Sequence, residues 1–407
     1  MSVSVCFYFQ VHQPFRIRKN YNFFSIGTDH YYEDHEANRM IMNRIAHRCY
    51  LPANHLMLDL IRRHHGKFKI AYSISGLALE QFELFCPKVI DSFRALANTG
   101  CVEFLCETYY HSLAFLRSKD EFRQQVSLHR KKINDLFGVN PTTFRNTELI
   151  YNNELAREVD RMGLHVILAD GADHILGWRS PNFIYTPVGS ENVKLLLKNY
   201  RLSDDIAFRF SNRAWKDFPL TAEKYARWIH NVAGNGNTVN LFMDYETFGE
   251  HQRESTGIFS FLRDLPGKIL QHQDFVFKTP SEVAQVYKPI AKLNVPEFIS
   301  WADTTRDLSA WVGNPLQNSA LDLLYSMEND IKTLGDSELL HTWRKLSASD
   351  HNYYTCTKWS GDGDVHTYFN PHNSPHEAYI AYINVLNDLK LTVKERIAQI
   401  KIDARKE

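Results

Sequence analysis

The chain lacks most of the motifs that declare a function on sight. None of its six cysteines forms a Cys-x-x-Cys pair, which removes the usual zinc-ribbon and thioredoxin-type signatures. No Gly-x-Gly-x-x-Gly fingerprint or P-loop follows a strand-like run, which argues against nucleotide binding. No stretch approaches about twenty apolar residues, so no membrane span is expected. Neither sign of charge dominates: 47 Lys and Arg balance 47 Asp and Glu, leaving no basic stripe for nucleic acid or anionic lipid. The first residues read as a strand and lack the charged start and cleavage site of a signal peptide. Free, buried thiols and a cytoplasmic protein are therefore expected. The sequence leaves the oligomeric state open.

What the chain does have is aromatic surface, with 26 Phe, 20 Tyr and 7 Trp among 407 residues. Most of that belongs in a core, but aromatic faces also cover the apolar C–H faces of sugar rings. Short apolar runs at 3–11, 67–73, 101–105, 142–144, 164–169, 193–198 and 238–243 read as strands. Helical periodicity fills the intervals, as at 36–65 with a restart at Pro52, at 120–137, and at 257–271. Strands alternating with helices predict an α/β fold, a parallel (β/α)7 barrel over residues 1–290. Helical patterns at 317–334, 338–351, 375–388 and 391–405 predict a mainly helical region over 291–407, packed on the barrel. Its polar and aromatic segment 301–314 is expected to reach the cleft.

Polar residues stop these apolar runs, and they recur with one chemistry. The first run ends at His12 and Gln13, the third at Glu107 and His111, the fourth at Glu148, the fifth at Asp170, and the seventh at Asp244 and Glu246. Parallel strands would bring these ends to one rim, where β/α barrels carry their sites. Two carboxylates facing a cleft suit glycoside cleavage, provided that their environments push their pKa values apart. Glu246, two residues after Asp244, would raise the pKa of that acid if the two faced one another. A metal site built from His12, His111, Asp170 and His251 is the rival reading. However, no His-x-x-x-His pair stands at a proposed strand end, so neither a metal nor a cofactor is expected.

Five blocks in order carry a resemblance. They are Val11-His12-Gln13-Pro14, residues 101–113, Phe144-Arg145-Asn146-Thr147-Glu148, residues 243–252, and residues 301–314 preceded by Thr279-Pro280-Ser281-Glu282. Together they resemble the family 57 glycoside hydrolases, the α-amylases and 4-α-glucanotransferases with a (β/α)7 barrel, and most closely the intracellular α-amylase-like branch. The resemblance implies a retaining enzyme acting on α-1,4-glucans, with Glu148 as nucleophile and Asp244 as general acid/base. It places His12 and Gln13 at the reactive sugar. Glu107, His111, Arg145, Glu246, His251 and Asp303 would serve as supporting or substrate-binding residues, and Trp178, Trp215 and Trp301 as candidate stacking platforms. Gln10 departs from the pattern, since many members carry His there. A 4-α-glucanotransferase using the same residues is the nearest alternative. A metal-dependent polysaccharide deacetylase and a catalytically silent glucan-binding protein are the alternatives from other classes.

Overall fold

A computed structural model describes residues 2–358 and 370–404. Ten strands organise it: β1 (Val3–Val11), β2 (Ile70–Ile74), β3 (Val102–Phe104), β4 (Thr143–Arg145), β5 (Val166–Asp170), β6 (Tyr185–Pro187), β7 (Lys194–Lys198), β8 (Thr238–Asp244), β9 (Phe275–Phe277) and β10 (Ala291–Leu293). The seven expected strands are β1 to β5, β7 and β8. The three others are each three residues long, too short to show a period in the sequence.

The strands form two five-stranded sheets. One runs β3-β2-β1-β8 with β9 on β1, and the other runs β10-β6-β7-β5-β4. Every pairing is parallel except β6 with β7. Single hydrogen-bonded contacts cross between the sheets at both ends. Cys106 bridges Phe144 beyond β3, and the Asn199 N–H donates to the Asn240 carbonyl at 2.9 Å beyond β7.

Helices of the first half pack on the outside of the strands, which is why β1 is apolar on both faces. Its alternate residues enter two cores. Phe7, Phe9 and Val11 join the layer beneath the helices. Cys6 and Tyr8 join a second core with Ala71, Leu105, Leu168, Leu196 and Phe242, drawn from both sheets. Register then aligns the strand ends: Gln10 lies opposite both Ser73 and Asp244, and Asp170 lies opposite Lys198.

The restart expected at Pro52 is not a break. Helix α1 (His35–Ile45) continues through a π turn at Ala46–Tyr50 into α2 (Leu51–Arg63), and Pro52, which cannot donate to the preceding turn, follows directly on that widened turn. The two helices expected after residue 375 are one, Pro375–Asp403; Arg405 lies outside the described residues. Its buried face, Ala381, Tyr382, Val385, Leu386 and Leu389, packs with Trp311, Leu321, Leu324 and Trp343. Ile17, Tyr21, Tyr32, Leu113 and Ile150 complete that core, so loops from the strand ends are gripped by C-terminal helices. Among the described residues no helix is long and apolar enough to cross a membrane, and all six cysteines are free and buried.

Candidate active site

A cavity of about 250 Å³ opens at the C-terminal ends of the strands. Gln10, His12, Gln13, His111, Arg145, Glu148, Asp244, Glu246, His251, Trp301 and Asp303 line it. The backbone around this cavity is unusual. Among the described residues, six other than glycine have positive φ, and four of them, His111, Glu148, Asp303 and Arg306, line the cavity. Such conformations persist only where the surroundings enforce them, and they concentrate at functional sites.

Glu148 shows how the enforcement works. β4 ends at Arg145, and a tight turn at Thr147–Leu149 follows with φ of 57° at Glu148 and 51° at Leu149. The Asn146 side chain donates to the Ile150 carbonyl, and the Thr108 and Thr147 hydroxyls bond at 2.9 Å. From the C-terminal side the Trp301 N–H donates to the Glu148 carbonyl, while Tyr151 bridges Ile299. Pinned in this way, the carboxylate receives three donors: His111 Nε2 at 3.3 Å and Ser349 Oγ at 3.3 Å on Oε1, and Trp301 Nε1 at 2.8 Å on Oε2.

Behind His111 stands a buried relay. Its Nδ1 lies 2.8 Å from Glu107 Oε2, and Glu107 Oε1 accepts from Ser73 and from Gln10 Nε2. Gln10 in turn accepts from the Tyr8 hydroxyl at 2.7 Å, so this residue anchors Glu107. His12 stacks on His111 with ring centroids 3.8 Å apart, held by Ser75 on one nitrogen and Asp350 on the other.

The electrostatics divide the carboxylates into two groups. Burial alone would raise Glu148, but the His111 hydrogen bond and charge, with Arg145 and Trp301, bring it below the ordinary glutamate value. Glu107 is brought down to about 2 against its burial, chiefly by His111 and then Arg145. His111 is lifted to about 9 despite burial, by Glu107 and Glu148. Asp244 goes the other way: burial and the nearby negative charge of Glu148 raise it to about 6, with Arg145 and Lys198 opposing. Glu246 is raised further, to about 8, by burial and by Asp244. The repulsion expected between this pair is present, and burial raises both carboxyls. The strand stops at Asp244, and Glu246 sits in the following turn, where it accepts from Tyr50 and from Gln13 Nε2 at 3.4 Å. Burial lowers His251 to about 4.

The Arg145 guanidinium is buried, and none of its three nitrogens finds a hydrogen-bond partner among the described residues. It lies 3.9 Å from Glu107 and 5.0 Å from the centre of the Trp301 ring. It acts on the carboxylates around it through charge.

Two of the three tryptophans do not reach the site. Trp178 is 91% exposed on the surface. Trp215 packs edge-on against Trp228 at 6.0 Å on the outer layer. Neither lines the cavity, because each follows a helix or loop away from the strand ends. Trp301 does line it, with the ammonium of Lys198 5.1 Å from its ring centre.

Other residues enter that no strand end announced. Ser349, Asp350 and Tyr353 come from a short helix, Ser349–Tyr353, in the C-terminal region. Asp350 carries a pKa well below the ordinary aspartate value: His12 and His111 overcome its burial. Asp170 meets Arg306 at 3.0 Å, and Arg306 lies 3.6 Å from Asp204. Among the described residues no group of three His, Cys, Asp or Glu side chains is placed to hold a metal ion.

Gly249, in the loop after Glu246, has φ of 115°, and a Cβ there would lie 1.9 Å from the Arg48 carbonyl oxygen. Gly249→Ala is therefore expected to cost at least about 2 kcal/mol, from strain and steric overlap together. Chemical denaturation would measure this, and an unchanged midpoint would show that the loop is free to move off the π turn.

Comparison with known proteins matches this architecture. The glycosyl hydrolase family 57 profile covers residues 6–299. A Methanocaldococcus jannaschii protein named "Putative alpha-amylase" is 42% identical over 410 residues, spanning 98% of this chain and 86% of that one. The 4-alpha-glucanotransferase of Thermococcus litoralis superposes with a TM-score of 0.66 at 16% identity, covering 86% of this chain and 56% of that enzyme, so the present chain spans little more than half its length. A branching enzyme of Pyrococcus horikoshii superposes with a TM-score of 0.65 at 14% identity, covering 90% and 87%. These two structures are alike in fold. With the profile matching most of the chain, and a relative this similar along nearly all of it, the chain belongs to glycosyl hydrolase family 57.

Proposed function

We propose that this protein is a retaining glycoside hydrolase of α-amylase type, cleaving α-1,4-glucans or maltooligosaccharides through a covalent glycosyl-enzyme. The observation that carries the reading is the opposite treatment of two carboxylates in one cleft. Glu148 is held ionised by three donors, while burial and the charge of Glu148 raise Asp244 so that it keeps its proton up to about pH 6. That is the division of labour between nucleophile and acid in a retaining glycosidase. Glu148 attacks the anomeric carbon as Asp244 protonates the departing oxygen, and Asp244 then takes a proton from the incoming water.

Gln13, Glu246, His251 and Asp303 offer hydrogen bonds to sugar hydroxyls, while His12 and His111, whose ring nitrogens are all engaged, hold Asp350 and Glu148 in place beside the reactive sugar. Glu107 and Arg145 act behind them, and the Trp301 face offers a surface for a sugar ring. We read the two sheets as one (β/α)7 barrel over residues 1–290, supported by the bonds that cross at both sheet ends and by the shared inner core. The described residues from 291 onward make up the mainly helical region that completes the cleft. Free, buried cysteines suit a cytoplasmic location.

Product analysis on maltoheptaose tests the reading. Hydrolysis gives shorter chains only. Longer linear chains would favour the 4-α-glucanotransferase reading, for which the fold likeness to the Thermococcus litoralis enzyme speaks. New α-1,6 linkages on longer substrates would make it a branching enzyme. No turnover of any α-glucan would reject all three.

The carboxylate split also sets a pH profile. Activity requires Glu148 ionised and Asp244 protonated. kcat/KM should rise through a pH below the ordinary glutamate value, because Glu148 is depressed, and fall above about 6 as Asp244 loses its proton. Initial rates across the pH range would measure both limbs. A profile still climbing at alkaline pH would contradict the assignment of Asp244 as acid.

A further inference from the structure

Away from the cleft, a second cavity of about 470 Å³ lies on the outer face. The π turn Ala46–Tyr50, the Gly249 loop and the helix Ile258–Leu270 surround it. Its lining is cationic: Arg48, Arg253, Arg263 and His47 against the single acid Glu254. Some surface arginines are neutralised by a neighbouring carboxylate, as Arg39 is by Glu36 and Arg94 by Asp91. The side chains of Arg253 and Arg263 make no hydrogen bond or ion pair with any described residue, and Arg48 stands 3.9 Å from Glu250, which Arg44 already engages at 2.9 Å. Three guanidinium groups around one concavity, two of them uncommitted, leave an unneutralised positive field at a recess large enough for a small molecule. Phe259 supplies an apolar wall.

We propose that this cavity is a binding site for a small phosphate ester, and that its occupancy is felt in the cleft. The guanidinium fork matches phosphate oxygens two at a time, which a neutral glucan cannot exploit. The route to the cleft is short and rigid. The π turn presents His47 and Arg48 to this cavity, while its next two residues are buried in the core against the turn that carries Glu246. Cys49 Sγ donates to the Tyr245 carbonyl, and the Tyr50 hydroxyl donates to Glu246. Gly249 rests on the Arg48 carbonyl, so the loop carrying Glu246 and His251 abuts the same turn. π turns of this kind recur at functional sites. An anion that draws Arg48 and Arg253 together would bear on both supports of Glu246. This coupling rests on the functional reading above, whereas the binding does not.

Calorimetric titration with glucose 1-phosphate tests binding, with inorganic phosphate and maltose as controls. The wild-type protein should bind glucose 1-phosphate saturably, inorganic phosphate should compete, and maltose should not. The Arg253→Gln/Arg263→Gln double variant should weaken binding at least about tenfold, while Glu148→Gln should leave it unchanged. Circular dichroism would confirm that the double variant remains folded. No saturable binding up to about 10 mM, or equal binding by the double variant, would overturn the site. Loss of binding in Glu148→Gln would move the ligand to the cleft and overturn it as well. With binding in hand, saturating glucose 1-phosphate should change KM for maltoheptaose in the wild type and not in the double variant. An identical KM would overturn the coupling. A protein that binds the ester but degrades no glucan would instead count against the functional reading.

Discussion

Glu148→Ala is expected to reduce turnover of maltooligosaccharides by at least about 10³-fold, roughly 4 kcal/mol of lost transition-state stabilisation. The expectation follows from how much of the site converges on one carboxylate. His111, Ser349 and Trp301 all donate to it, and two consecutive residues with positive φ hold it in place. Removing the carboxylate leaves those donors facing an empty space that a small anion fits. Azide should enter it and attack the anomeric carbon from the face Glu148 used, giving a β-glycosyl azide from an α-linked substrate. NMR of the product would establish the anomer. Substantial activity without azide would show that Glu148 is not the nucleophile. A folding defect would not be rescued by azide, which separates the two explanations.

Much of this arrangement was legible in the sequence, for a physical reason. A parallel strand buried on both faces reads as an uninterrupted apolar run, so the first polar residue after it marks a strand end. His12, Glu107, Glu148, Asp170 and Asp244 were all visible in that way, and strand register brings them to one rim. What escaped came from elements without that boundary. Ser349 and Asp350 sit in a five-residue helix whose polar residues look like any solvated turn, although they touch Glu148 and His12. Only the long-range packing of the C-terminal helices against Leu113 and Ile150 brings them there. Of the three tryptophans named as platforms, Trp301 lines the cavity, whereas Trp178 is exposed and Trp215 packs in an outer layer, because composition carries no address. Gln10, where His would be expected, has its own logic. A neutral amide can accept from Tyr8 and donate to Glu107 at once, which keeps Glu107 fully bonded without a further cation.

Asp244→Ala is expected to fail differently, and the difference identifies its role. The nucleophile remains, so the enzyme can still attack, but the departing oxygen leaves without a proton. For natural glucans, whose leaving group is a sugar alkoxide, the loss should reach about 10²–10⁴-fold. For a 4-nitrophenyl α-maltooligoside, whose leaving group needs little protonation, it should be far smaller. Formation of the glycosyl-enzyme then outpaces its hydrolysis, because no base remains to activate water, and the intermediate should accumulate. Rapid-quench mass spectrometry would detect it as a mass increase on Glu148. Azide needs no base, so it should release the intermediate as an α-glycosyl azide, the anomer opposite to that from Glu148→Ala. The structure adds a second consequence. Asp244 is a main cause of the raised Glu246 pKa, so its removal should lower that pKa from about 8 towards the ordinary value. The alkaline limb set by Asp244 near 6 should vanish from the aryl glycoside profile at the same time. Equal losses on both substrate types, or the same azide anomer from both variants, would show that Asp244 does not donate the proton.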